Sequence, residues 1–171
     1  MKLSTRPRYG MRALVDIATH SKDEPVRLKE IARRQNVSLS YLEHIVGPLI
    51  SGGILRSTRG PGGGVSLLAK PEEISLERVV GLLEGPLGAT DCVVQSDICS
   101  RAGQCATRSL WVEVSDAMRE VLRGKTLADL MQTDTDTAGE GSCTPQSFRP
   151  LQEPVSLSPR TSSRDTQGGG S

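Results

Sequence analysis

Aromatic residues are scarce: one Trp, two Tyr and one Phe make up 2% of 171 residues, so a core has to be assembled from Leu, Ile, Val and Ala. A core of that kind points to helices. Long apolar runs are absent as well, which leaves no segment of the roughly 20 apolar residues that a membrane-spanning helix requires. The opening residues, Met1 to Arg8, contain no apolar stretch of the secretory type. The expectation is a soluble cytoplasmic protein with no membrane contact. The glycine run Gly60-Pro61-Gly62-Gly63-Gly64 lacks the Gly-Lys-Ser/Thr ending of a phosphate-binding loop, and strand-like rather than helical sequence follows it. No nucleophile–base pairing stands out, so an enzyme is not expected.

What is present is a charge asymmetry beneath a net charge of +1. Residues 1–60 carry 11 Lys and Arg against 5 Asp and Glu, while the rest of the chain is net acidic. Local field steers association with polyanions, so the basic end is a candidate nucleic-acid face. Composition changes again after Met131: residues 132–171 are rich in Ser, Thr, Pro and Gly and hold too little apolar surface to offset chain entropy. A disordered tail is expected there, its final Gly-Gly-Gly-Ser reading as an added sequence.

Helical spacing is clear in several places. Met11, Leu14, Val15 and Ala18 form one stripe over residues 9–20, and Leu28, Ile31 and Ala32 another over 27–35. After Asn36-Val37, Ser38 or Ser40 can cap a third helix through Leu42, Ile45, Val46, Leu49 and Ile50, with Pro48 as a possible kink. The runs 54–58 and 65–68 flank the glycine segment as a hairpin. A fourth helix covers about 75–84. Residues 109–123 carry the stripe Leu110, Val114, Ala117 and Val121, widened by Trp111, Met118 and Leu122, which suggests burial on two sides. Thr126 can cap a short last helix, 127–131.

The second and third helices with the hairpin after them fit a winged helix-turn-helix, mainly α with a small β wing. The N-terminal side chains of the second helix of such a motif meet base edges in the major groove. Here they are Ser38, Ser40, Tyr41, Glu43 and His44. Glu43 can accept a hydrogen bond from cytosine N4, and Ser40 can serve a base or a phosphate. Arg59, at the hairpin shoulder, is placed for an adjacent minor groove. The competing reading is a solvated helical hairpin with ordinary surface charge.

Cys92, Cys99 and Cys105 sit within 14 residues, and Cys143 stands alone in the tail. Three clustered thiols in a reducing compartment argue for metal or redox chemistry. With no Cys-x-x-Cys pair, a zinc site has little support. Iron–sulfur clusters accept wider spacing, because the ligands converge on a large inorganic core.

Arg8-Tyr9, the run Ser38 to Glu43, the wing Arg59-Gly-Pro-Gly-Gly-Gly and the three cysteines ahead of Leu110-Trp111 together resemble the IscR-like group of bacterial winged-helix regulators. The resemblance spans residues 1 to about 131. It implies a winged helix-turn-helix domain (1–84), a cluster-binding loop (85–108) and a dimerisation helix with a short terminal helix (109–131), followed by the tail (132–171). It also implies a homodimer on a palindromic double-stranded operator. Cys92, Cys99 and Cys105 would then hold an iron–sulfur cluster, [2Fe–2S] in preference to [4Fe–4S], that controls DNA binding in response to iron–sulfur, redox or nitric-oxide status. By position, Glu43 and Arg59 match the family's base-reading and minor-groove residues. One departure concerns the fourth ligand: where cluster-biogenesis repressors have His three residues after the last Cys, this chain has Arg108, which is always protonated and a poor ligand. Another branch uses an acidic residue near position 8 of the partner subunit, where this chain has Arg8. A metal-free thiol switch at the same cysteines is the alternative within regulation, and a protein-interaction adaptor is the alternative outside it.

Overall fold

The computed structural model describes residues 3–21 and 24–138, with side chains as far as Thr133. It is mainly α with a small two-stranded wing. Helix α1 (Thr5–His20) begins four residues earlier than the apolar stripe predicts, because Ser4 caps it by accepting from Arg6 N–H. Pro7 lies in the first turn, where a missing N–H costs no helical bond. The Ser4 amide and hydroxyl both bond the Glu84 carboxylate, which ties this end to the end of α4 (Leu76–Glu84).

Helix α2 (Leu28–Gln35) ends at Asn36, whose φ of 53° and ψ of 49° are left-handed. Asn is one of the few residues that adopt this conformation readily. The amide of Val37 returns to the Ala32 carbonyl and closes the turn. Helix α3 (Leu39–Ser51) follows at once, and it contains Pro48 without ending there. Strands β1 (Leu55–Thr58) and β2 (Gly64–Leu67) pair antiparallel, Leu55 with Leu67 and Thr58 with Gly64. Between them Gly60 and Gly62 take φ of 104° and 91°, which side chains rarely adopt, so the tip depends on glycine. Val26 bridges to Val65 and anchors the wing to the lead into α2.

The core is aliphatic, as the scarcity of rings requires. Ala13, Leu14 and Ile17 of α1 meet Ile31, Leu42, Ile45, Leu49, Ile54, Leu55, Val79 and Leu83. Gly10 is where α1 lies against α4, since a Cβ there would run into the Leu83 side chain.

Short α5 (Asp91–Val94) and a 3₁₀ turn (Ser96–Ile98) occupy the segment that shows no sequence period. Helix α6 (Arg108–Arg123) has one buried residue, Ser115, while Leu110, Trp111 and Val121 are exposed. Helix α7 (Leu127–Ala138) runs beyond the expected end at Met131. Thr126 and Asp129 start it by exchanging hydrogen bonds, and Leu127 is fully buried. The remainder of the expected tail, with Cys143, lies outside the described residues.

Candidate nucleic-acid interface and cysteine loop

The N-terminus of α3 is built by two hydroxyl contacts. Ser38 Oγ accepts from the Tyr41 amide at 3.2 Å, so Ser38 serves as the cap. The Tyr41 hydroxyl lies 2.7 Å from Thr5 Oγ1, and its ring stands edge-on to Tyr9 at 5.8 Å. Tyr41 therefore braces α3 against α1 rather than projecting from the exposed face. Ser40, Glu43 and His44, spaced at i, i+3 and i+4, are all exposed and share one face of α3. Arg59 is exposed at the wing tip. Behind it, Arg56 Nε donates to Ser66 Oγ at 2.9 Å and braces the two strands.

A network absent from the sequence reading sits beneath this motif. Asp16, 5% exposed, accepts from Arg34 Nη2 at 2.6 Å, from Arg34 Nε at 2.9 Å and from Gln35 Nε2 at 2.9 Å. Burial pushes the Asp16 carboxyl up, but hydrogen bonds from Arg34 and Gln35 and the Arg34 charge outweigh it and hold the group below its ordinary value. Gln35 Oε1 accepts from Arg12 Nε at 2.9 Å, so Gln35, the last residue of α2, ties that helix to α1. His20 ends α1, its Nδ1–H 2.8 Å from the Asp16 carbonyl oxygen.

The cysteine loop is stitched to α6. Buried Ser115 accepts from the Ala89 amide at 2.9 Å and donates to the Trp111 carbonyl at 2.6 Å. Arg108 Nε donates to the Cys92 carbonyl at 3.2 Å, and Arg119 donates to the Leu87 carbonyl. Arg108 is thus a staple between the first cysteine and the residues after the last. Cys92, Cys99 and Cys105 are half-buried. Cys92 Sγ lies 3.3 Å from Thr90 Oγ1, and Cys105 Sγ lies 3.2 Å from Thr107 Oγ1. Hydrogen bonding from the Thr107 side chain, then the Thr107 and Arg108 amides, lowers the Cys105 thiol below its ordinary value.

Three thiols on one loop suit an iron–sulfur core chemically, yet the geometry does not gather them. Among the described residues no three His, Cys, Asp or Glu side chains converge as metal ligands. Cys92, Cys99 and Cys105 would supply three thiolates to such a core, leaving a fourth position to another donor.

A capped helix with an exposed polar face, held on a helix-turn-helix and followed by a glycine-tipped wing, defines a winged-helix DNA-binding protein. Residues 3–133 match the family described as Rrf2, iron-dependent transcriptional regulator. The Rrf2 protein of Nitratidesulfovibrio vulgaris is 41% identical over 143 residues, 84% of this chain and 95% of that one. The structure of T. potens IscR superposes with a TM-score of 0.64 at 35% identity, covering 83% of this chain and 93% of that chain. The oxidised form of Staphylococcus aureus CymR gives a TM-score of 0.62 at 37% identity, covering 77% and 96%. The chain belongs to the Rrf2 family of transcriptional regulators. It is a regulator and not an enzyme.

Proposed function

We propose that the protein binds a palindromic operator as a homodimer and that the loop holding Cys92, Cys99 and Cys105 is its sensory element. The observation that carries the DNA reading is the exposed face of Ser40, Glu43 and His44 on a helix braced by Tyr41, with Arg59 on the wing. Glu43 reads a base, Ser40 and His44 contact a base or phosphate, Ser38 offers its capped end to the backbone, and Arg59 enters the minor groove. The apolar residues of α6 support the second copy: a 16-residue helix that buries Ser115 alone leaves Leu110, Trp111 and Val121 for a partner.

The proposed ligand of the three cysteines is an iron–sulfur cluster, supported by the family description and by the likeness to IscR. It would supply a redox- and nitric-oxide-sensitive group, and taking it requires the loop to bring the thiols together. With Arg108 engaged at the Cys92 carbonyl, the three thiolates leave a position open to another donor. A metal-free thiol switch is the second reading, favoured by the likeness to CymR, whose structure is known in an oxidised form. Anaerobic purification with assays of iron, sulfide and visible absorbance separates the two. Brown protein with near-equal iron and sulfide supports the cluster. Colourless protein that resists reconstitution and loses DNA affinity on oxidation supports the switch.

A further inference from the structure

Two adjacent residues of α4 hold two different helices. Arg78 Nη2 donates to the carbonyl of Gly52, the cap of α3, at 2.6 Å. Leu82, one turn further along α4, stands where a Cβ on Gly52 would be, so α3 and α4 meet closely at that end. Glu77 receives a fork from Arg123, the last residue of α6, with Nε to Oε2 at 3.0 Å and Nη2 to Oε1 at 3.1 Å. The Arg123 hydrogen bonds, then its charge, hold the Glu77 carboxyl below its ordinary value, so both partners are charged at neutral pH. Apolar packing does little to fix the angle between α6 and α4. Within its own chain α6 buries no apolar side chain, and an open cleft of about 320 Å³ separates the two helices, lined by Glu77, Gly81, Leu87 and Arg119. Past its end, α6 is joined to the lead into α4 by two backbone bonds, Leu76 N–H to the Lys125 carbonyl and Leu127 N–H to the Ile74 carbonyl. A pairing at that one place leaves a swing about it, which the polar contacts across the cleft restrain.

We infer that the Glu77–Arg123 bridge sets the angle between α6 and the α3–α4 block, and through it the half-site spacing that the protein accepts. This rests on the reading above, in which two copies pair through α6 and each places α3 on a half-site. One extra base pair moves the half-sites apart by about 3.4 Å and turns one of them about the duplex axis by roughly 35°. A dimer with a fixed angle reads one spacing well, and a dimer free to swing reads several. Neither Glu77 nor Arg123 touches a base in this arrangement, so sequence preference within a half-site stays with the exposed face of α3.

The full-length parent, Arg123→Ala and Glu77→Gln are each titrated at fixed salt with a palindrome selected by the parent and with versions one base pair longer and one shorter between half-sites. The parent is expected to lose affinity at both altered spacings. Either variant is expected to shrink that loss about threefold, the scale of an exposed ion pair, while keeping the parent's half-site sequence preference and Tm. Arg123→Lys, which keeps the charge but gives up the fork, is expected to fall between parent and Arg123→Ala. A parent indifferent to spacing, an unchanged spacing loss in either variant, or an equal fall in affinity at every spacing overturns the inference and leaves operator binding standing. A parent that binds no palindrome overturns both.

Discussion

Asp16 sits on the same helix as Leu14 and Ile17 and is almost as deeply buried, a position where an unpaired carboxylate is costly. Its partners come from α2, 18 and 19 residues away. Arg34→Met removes the fork but leaves the carboxylate buried, and is expected to cost about 3–5 kcal/mol in urea unfolding at neutral pH. Because the folded Asp16 value is depressed, its contribution is fully present above the unfolded value, near 3.8, and is lost as pH falls through the lower folded value. Asp16→Asn should therefore flatten the acid side of the stability profile below about pH 4, measured by denaturation at a series of pH values. The sequence pattern does not disclose this network. A lone Asp on an apolar stripe reads as a solvated interruption until the fold brings Arg34 and Gln35 against it. Tyr41 is a similar case: its place in the recognition motif is legible, but its hydroxyl contact to Thr5 depends on the α1–α3 packing.

Among the elements, apolar periodicity located α2, α3, α4 and α6 to within a residue or two, because each carries a stripe with a recognisable stop. It missed the first turn of α1, where Ser4 and Pro7 mark the start but contribute no apolar stripe. It also missed α5 and its 3₁₀ neighbour, which are too short to show a period. Helix α7 passed its expected end because the change to polar composition at Gln132 does not stop a helix already started by the Thr126–Asp129 exchange. The cysteines were legible as a cluster in sequence, while the staples that hold their loop, Ser115 and Arg108, were not assigned that role. Ser115→Ala strands the Ala89 amide against α6 and should cost about 1–3 kcal/mol, with a larger gain in hydrogen exchange at residues 88–92 than in the winged-helix core. Equal exchange gains throughout would show that Ser115 acts on global stability alone.

At the scale of the whole molecule, α6 presents apolar surface that the other described residues do not cover. Val121, 68% exposed, lies on that surface, and Val121→Asp should convert a dimer to a monomer in sedimentation equilibrium without altering helical content. The proposed dimer would present two α3 helices to two half-sites, so that the proposed base reading by Glu43 would add over a palindrome. Salt reports on the phosphate contacts beneath that reading, since each one released costs affinity as ionic strength rises. Glu43→Ala should shift sequence preference at one position of each half-site, while Arg6→Ala, on the exposed first turn of α1, should leave the preferred sequence unchanged. The measurement that bears most directly on the account is selection of duplexes by the full chain from a random pool, followed by affinities for the winner and a scrambled duplex at about 0.15 M salt. The account predicts a palindromic consensus bound about a thousandfold or more tighter than the scrambled duplex, with the preference relaxed in Glu43→Ala. No consensus, or equal affinity for both duplexes, would contradict it.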